Sequence, residues 1–470
     1  MAILGYSVML LGLLCFLFLG HWKVRNKSSP ITNWPVLGMV PGLLCNAFHM
    51  YESIDRVLKH YGGTVEVKGP YDPMNVHHIL SKNFFNYEKG SEIREILEPL
   101  ADGIINSDSD WWTFQRKTMR SIVKNSKFEL FVEKVVREKM VDGLIPFLDH
   151  ISKLEIEVDL QEVFKRFTFD NSCLMVLGFD PVSLSVDFPK RKHAKAFDEI
   201  EEATIYRHIL PKWCWKIQRW LQLGQEKKLR KAWETFDGFL NRCEEAEFNL
   251  LTAYLLLEDK EGSCNKGGST NKFLRDTAFN LMAAGSDTIG MALTWFLWLL
   301  ATHPSVETKI LDEMKEIILV KDDKKWGCFG IKDLDRQVYL HAALCEALRL
   351  YTVVAFDPRT AVGPDVLPSG HHVAPSTKII ICLYAMGRME EIWEQGIIIS
   401  VPSYKFSAFG GGPRSCLGKA MAFTQMKMVA TAVIWNYHIR VVEGHSVSPA
   451  VSVVLNMKHG LKVRVNKRSA

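Results

Sequence analysis

Long apolar runs alternate with polar breaks along most of the chain, and their spacing predicts a molecule built mainly of helices. From Ala278 to Trp295 the chain is apolar almost throughout, but Ser286 and Asp287 interrupt the middle and the uncharged part beyond them is short for a membrane span. The stretch reads as one long buried helix. Leu417 to Trp435 lacks proline and carries apolar residues at helical spacing, and Leu340 to Leu350 reads as a shorter helix. Helical patterns dominate from Trp111 to Ile318, broken by a polar, glycine-containing loop at Glu261 to Asn271. Period-two alternation is confined to short segments: around Gly63 to Gly69, Tyr437 to Val442, and Val451 to Val465, where His459 and Gly460 predict a turn. The pattern implies a mainly α fold with small sheets.

The N-terminus departs from this pattern. Ile3 to Gly20 is an uncharged apolar stretch of 18 residues, long enough with its flanks to cross a membrane. A secretory signal peptide would carry a charged start and a small-residue cleavage site, and neither is evident. Lys23, Arg25 and Lys27 follow at once, which by the positive-inside tendency leaves the rest of the chain in the cytosol. Residues 1–22 therefore read as a single-pass transmembrane signal anchor, placed in the endoplasmic reticulum membrane. Residues 23–45, basic and rich in proline and glycine, read as a stiff linker that sets residues 46–470 against the membrane. Substrate would then enter directly from lipid.

Composition narrows the function classes. With 470 residues, 47% hydrophobic and 24% charged, the chain can form one large core, and nothing repeats internally. A net charge of +5, with no basic run interleaved with aromatics, excludes a nucleic-acid partner. The ten cysteines show no paired spacing, which suits free thiols in a reducing compartment.

One cysteine stands apart. Cys416 sits in FGGGPRSCLGKAMAF, where Gly410 to Gly412 let the backbone bend and approach a flat cofactor closely. The following helix places Cys416 near a helix N-terminus, where the macrodipole favours a thiolate, and Arg414 adds a positive charge two residues away. A single thiolate with no second cysteine, histidine or carboxylate nearby suits haem, because the porphyrin supplies four of the iron's ligands, whereas zinc needs more protein ligands. For the cysteine alone, a buried free thiol in a glycine loop remains the simpler reading. The full string F-x-x-G-x-R-x-C-x-G is what speaks against it.

That string, running from Phe409 to Gly418, resembles the cytochrome P450 family of haem-thiolate monooxygenases, and other positions extend the resemblance. It implies that Cys416 ligates the iron of haem b (iron protoporphyrin IX), with Phe409 and Gly418 lining the thiolate loop. Ala284 to Thr288 resembles the family's A-G-x-D-T string, which crosses the distal face of the haem. Gly285 would leave room there for dioxygen, and Asp287 and Thr288 would relay protons. Glu346 and Arg349, an i, i+3 pair that by spacing alone describes a surface salt bridge, resemble the E-x-x-R motif that locks the core behind the haem. Trp112 and Arg116 match a W-x-x-x-R helix that reaches a haem propionate. With Arg359 and Arg414 they would answer the two buried carboxylates of the cofactor.

The resemblance also implies partners and a substrate class. Arg116, Lys117, Arg120, Lys124 and Lys127 recur on one helical stretch, where spacing alone describes a solvated face. In the family this helix borders the proximal side, where an acidic NADPH-dependent cytochrome reductase docks. Asp159 to Asp170, Tyr206 to His208 and Trp213 to Lys228 are similar to the plant branch that hydroxylates fatty acids and alkanes, nearest the midchain alkane hydroxylases of wax synthesis. The positions that line the family's pocket are apolar here: Leu100, Ile104, Ile105, Met282, Ala283, Val353, Val354, Phe356 and Val454. They suit a long aliphatic chain and offer no cation to fix a carboxylate, which favours alkane over fatty acid.

One departure stands against these matches. Between Trp393 and Pro402 the family carries a longer stretch with a P-E-R-F-like element, whose arginine completes a triad with E-x-x-R. Arg388 lies too early to replace it. Its loss predicts a buried Glu346–Arg349 pair with incomplete hydrogen bonding and a cysteine loop drawn up short. A second shortening near Arg242 to Leu251, and Thr352 where the family usually has proline, fit a mispredicted splice junction or a decaying gene copy. Three readings follow: an active membrane monooxygenase, a haem-thiolate isomerase or dehydratase, and a catalytically impaired protein of this fold. Asp287 and Thr288 argue against the second, which needs no distal proton relay.

Overall fold

The computed structural model describes residues 64–65, 69–70, 72–189, 192–240, 270–319, 330–390, 392–393, 402 and 404–468. The expected anchor and linker, both expected shortenings and most of the polar loop at Glu261 lie outside them. The helices, in chain order, are α1 (Pro73–His77), α2 (Gly90–Ile96), α3 (Ser109–Val123), α4 (Ser126–Lys139), α5 (Ile145–Leu154) and α6 (Leu160–Leu177). They continue with α7 (Lys192–Ile209), α8 (Lys212–Leu221), α9 (Gly224–Leu240), α10 (Thr270–Gly285), α11 (Asp287–Thr302) and α12 (Pro304–Leu319). The last are α13 (Ile331–Arg336), α14 (Val338–Leu350), α15 (Leu383–Met386) and α16 (Lys419–Asn436). The mainly α expectation holds.

Local chemistry sets these boundaries. At the start of α6 the Asp159 carboxylate accepts the Gln161 backbone N–H at 2.9 Å, and Gly178 ends the helix in the left-handed region. Between the caps α6 is buried almost all round and packs against α10 and α11. Two glycines allow that approach. A Cβ on Gly290 would lie 3.0 Å from Thr168 Oγ1, and one on Gly285 would lie 3.1 Å from Ser172 Oγ. Gly285 thus lets α10 lie close to α6.

The apolar stretch from Ala278 predicted one helix, and the chain forms two. They part at Ser286 (φ −84°, ψ −81°), although Ser286 N still donates to Met282 O at 2.9 Å. The Thr288 hydroxyl donates to Ala284 O at 2.7 Å, so a side chain competes for a backbone acceptor at the break. Among the described residues no single helix is long and apolar enough to cross a membrane.

The strands are short. β1 (Thr64–Val65) pairs with β2 (Gly69–Pro70), β3 (Tyr87–Glu88) with β5 (Phe356–Ala361), and β5 with β8 (Lys378–Cys382), all antiparallel. β6 (Asp365–Val366) pairs with β7 (His372–Val373), and β10 (Lys462–Lys467) lies between β4 (Glu157–Asp159) and β9 (Tyr437–Val441). β4 interrupts the expected helical run because its partner lies some three hundred residues later in the chain. Strand structure was expected from Val451, yet only β10 forms. The stretch before it is held irregularly, with Leu455 N donating to Val353 O at 2.8 Å. The turn at Gly460 is present, with φ of 66°.

Candidate functional site

The cysteine loop is built on a close backbone approach. Gly412 has φ of 62°, and a Cβ there would meet Leu80 O at 1.7 Å, so only glycine fits. That close approach is to the backbone of Leu80. A 3₁₀ turn over Gly412–Arg414 then brings Cys416 N to Phe409 O at 2.8 Å, and α16 starts after Gly418. Phe409 packs against Phe423 with ring centroids 5.2 Å apart. Cys416 is exposed on a cleft of about 650 Å³ lined also by Trp112, Arg116, Arg120 and Lys124.

The electrostatics of the thiol differ from expectation. Crowding by the loop raises the Cys416 pKa, while the Gly418 N–H, Arg116 and Lys419 pull it down without reversing the shift. In the free thiol these pulls do not offset the crowding. Arg116 is the arginine beside the sulfur, anchored by a 2.5 Å bond to Ser415 O. Arg414, expected in that place, points elsewhere. Of the basic positions, Arg116, Lys117, Arg120 and Lys124 belong to α3 and its cap, but Lys127 lies past Asn125 on α4, so the stretch is not one helix.

The residues assigned to the cofactor carboxylates form a buried charge cluster. Arg414 donates to Ser107 O at 2.9 Å and Asp108 Oδ1 at 2.7 Å, with its guanidinium 4.6 Å from the Trp112 ring. Arg359, 2% exposed, clasps the Asp357 carboxylate with both terminal nitrogens, and Lys89 reaches the same carboxylate at 3.2 Å. Burial, with Arg359 nearby, brings Arg414 down to about 10 and Lys89 down to about 8. Asp357 is held low: burial alone would raise it, but Arg359 and Lys89 prevail. The Nε atoms of Arg359 and Arg414 are buried with no hydrogen-bond partner. Two orphaned guanidinium donors beside mutually repelling cations fit a dianionic group such as the haem carboxylates. Arg359 retains only Nε for that purpose, because Asp357 fills its fork.

Glu346 and Arg349 depart from the expected strained pair. Arg349 binds Glu346 through Nε at 2.7 Å and again through Nη2, donates its third nitrogen to Gly387 O, and lies 5.1 Å from the Trp393 ring. The Glu346 side chain is 38% exposed, so the pair is neither fully buried nor short of partners. Arg388 stacks 3.6 Å from the Tyr384 ring and does not join it. Thr352 is buried and donates to Leu348 O at 3.0 Å, satisfying its hydroxyl locally where proline was expected.

Asp287 and Thr288 diverge around their helix. Thr288 is partly exposed at Ala284, whereas Asp287 is buried, 3.9 Å from Lys165 of α6. Of the expected pocket residues, Ile104, Ile105, Ala283 and Phe356 are half-buried and Val354 is 41% exposed. Met282, Leu100, Val353 and Val454 are buried in the hydrophobic core. Ile105 is fixed by its N–H to Asn280 Oδ1 at 3.0 Å.

Sequence reading missed Lys89, Asp108, Asp357, Lys165 and Glu201. Only Asp357 left a signal: it lies two residues before Arg359 in β5, on the same face.

The chain is 38% identical to alkane hydroxylase MAH1 of Arabidopsis thaliana, with all of both chains covered. It is 36% identical to noroxomaritidine synthase of Narcissus aff. pseudonarcissus, covering 99% and 97% of the two chains, and 37% identical to cytochrome P450 86B1 of Arabidopsis thaliana, covering 97% and 89%. The first alignment runs to 508 positions for a chain of 470 residues, so that relative carries segments this chain lacks. The cytochrome P450 family pattern matches residues 29–464, and the chain belongs to the cytochrome P450 family of monooxygenases.

Proposed function

We propose that this monooxygenase hydroxylates long aliphatic chains, alkane or fatty acid, taking electrons originating in NADPH from a reductase. The observation that carries the reading is one cysteine on the cleft at the foot of α16, with Arg116 beside it and the orphaned Arg359 and Arg414 donors in the neighbouring cluster. Cys416 would ligate the iron, and Trp112, Arg116, Arg359 and Arg414 would hold the carboxylates. Haem bound in this way supplies dioxygen binding and oxidation of an unactivated C–H bond. Thr288 and Asp287 would hold and move the protons that this chemistry consumes, which also favours monooxygenation over isomerase or dehydratase activity. The half-buried apolar side chains of Ile104, Ile105, Ala283 and Phe356 suit an aliphatic substrate. The name of the alkane hydroxylase relative supports that class, and a role in wax or cuticle lipid synthesis would follow from it.

The impaired reading loses its main support. Arg349 places its donors on Glu346 and Gly387 O, so no third side chain is required to satisfy them. The catalytic domain would lie on the cytosolic side of the endoplasmic reticulum membrane, and α8 supports contact with a membrane. Trp213, Ile217, Trp220 and Leu221 are 65%, 47%, 81% and 48% exposed at helical spacing, an apolar stripe with Lys212 and Lys216 beside it. Arg116, Lys117, Arg120 and Lys124 at the cleft suit an acidic reductase.

The test is the Soret difference spectrum of the reduced, carbon monoxide-treated chain expressed without residues 1–20. The band diagnostic of a trans thiolate is expected, and its loss in Cys416→Ser with it. A neutral-ligand band, or no haem uptake, overturns the reading. Thr288→Ala is expected to raise hydrogen peroxide release relative to product.

A further inference from the structure

The chain between α2 and α3 carries Ile104 and Ile105, and a single side chain of α10 holds both arms of that loop. Asn280 is 2% exposed; its Nδ2 donates to Leu100 O at 2.9 Å, and its Oδ1 accepts the Ile105 N–H at 3.0 Å. Nδ2 also donates to Asp276 O at 3.0 Å, one turn back in the same helix, so the amide plane is fixed at both ends. Gly103 lies against that plane. A Cβ on it would meet Asn280 Cγ at 2.4 Å, Nδ2 at 2.6 Å and Oδ1 at 2.7 Å, while the Gly103 carbonyl accepts the N–H groups of Asn106 at 3.1 Å and Ser107 at 3.0 Å. Beside it, Asp102 N donates to Asp276 Oδ2 at 3.3 Å.

A backbone of this course does not hold itself. Ala101 has φ of 66° and ψ of 177°, a conformation that residues with a Cβ rarely adopt and that persists only where the surroundings impose it. At its far end the loop is tied to the turn that leads to Cys416, through Ser107 O and Arg414 at 2.9 Å. Ile104 packs against the core, and Ile105 beside it is half-buried. Asn280 thus fastens the two isoleucines to the helix whose Ala284 carbonyl accepts the Thr288 hydroxyl. An aliphatic chain has no polar group along its length to anchor it, and its inner methylenes are alike. The carbon that is oxidised is then decided by where the apolar walls stop the chain, and a wall misplaced by about 1 Å is enough to favour a neighbouring carbon.

Resting on the monooxygenase reading above, we propose that Asn280 is a positioning residue that clamps residues 100–105 and, through Ile104 and Ile105, sets which carbon of an aliphatic chain is hydroxylated. Gly103 is the other half of the device, because only a residue without a side chain lies flat on the Asn280 amide.

The test uses the haem-loaded full chain with a straight-chain alkane and the fatty acid of equal length as probes. Wild type, Asn280→Ala, Gly103→Ala and the double variant are compared by the Soret shift on adding each probe, the distribution of hydroxylated positions and amide hydrogen exchange over residues 100–106. Melts and the carbon monoxide difference spectrum report fold and thiolate ligation. Asn280→Ala is expected to keep the thiolate band, exchange faster at Ile105, bind the probes several-fold more weakly and spread the product over neighbouring carbons. Gly103→Ala should also shift the distribution, and the double variant should be no worse than Asn280→Ala, since alanine at position 280 makes room for the new methyl. Unchanged exchange at Ile105 in Asn280→Ala overturns the clamp. Faster exchange or a lowered melt with the wild-type distribution and binding makes Asn280 merely structural and overturns the proposal. If Asn280→Ala does not fold, Gly103→Ala decides: a shifted distribution supports the proposal and a wild-type one overturns it. A wild type that lacks the thiolate band, or responds to neither probe, overturns the monooxygenase reading and the proposal with it.

Discussion

Two charge clusters lie within this fold, and burial acts on them in opposite directions. Lys89, Arg359 and Arg414 face the buried carboxylates of Asp108 and Asp357, with Glu88 at the half-buried rim, whereas Lys165 faces Asp198, Glu201 and Asp287. An excess of carboxylates is relieved by taking a proton from water, because desolvation raises a carboxyl toward neutrality. An excess of guanidinium is not relieved in that way: Arg414, even brought down to about 10, stays charged at neutral pH. The orphaned Nε donors of the cationic cluster call for an anionic guest, whereas in the acidic cluster burial favours the protonated form of Glu201. The same low-dielectric interior has opposite consequences in the two places because the ionisable groups differ.

This contrast can be broken by experiment, the largest effect coming first. Asp357→Asn leaves Lys89 and Arg359 without their shared carboxylate, and a loss of about 3–5 kcal/mol in stability is expected. Denaturant melts of the haem-free and haem-bound forms check it, with part of the loss recovered on haem binding. Lys165→Met removes a cation that Asp198 and Asp287 face. Glu201 beside them already favours its protonated form, so the cost should be about 2–3 kcal/mol near pH 8 and smaller near pH 6, as read from melts at both values.

Glu201→Gln sharpens the acidic side. Folded Glu201 holds its proton above the ordinary carboxyl range while the unfolded residue does not, so the folded state binds more protons and wild-type stability falls as pH rises through that window. Relative to wild type, the neutral glutamine should gain up to about 1.4 kcal/mol per pH unit there. The smallest effect belongs to Glu346→Gln. With Glu346 38% exposed and the Gly387 bond retained, about 1 kcal/mol is expected, and a loss several times larger would restore the idea of a strained pair.

How much was legible depended on the range of the cause. The caps of α6, the start of α16 and the turn at Gly460 follow from neighbouring residues, and all could be read or nearly read from the chain. The break at Ser286 is local too, yet it was missed, because apolar periodicity does not register a threonine hydroxyl bonding the carbonyl four residues back. β4 was missed for the opposite reason: three residues become a strand only because β10 lies beside them. Met282 and Val454, read as pocket positions, are buried among core residues, and a hydrophobic residue carries no mark of which apolar space it fills.

The sequence by itself determined the family, the single cysteine in its glycine loop and the identities of the acid and alcohol at Asp287 and Thr288, because these are matters of residue type at fixed short spacing. The tertiary structure alone decided that Asp357 would fill the Arg359 fork, that Arg116 and not Arg414 would stand beside Cys416, and that Glu201 would join Asp287 around Lys165. Coulomb energy and desolvation depend on distance and burial in space, and for groups nearly a hundred residues apart in the chain those are set only when the helices pack.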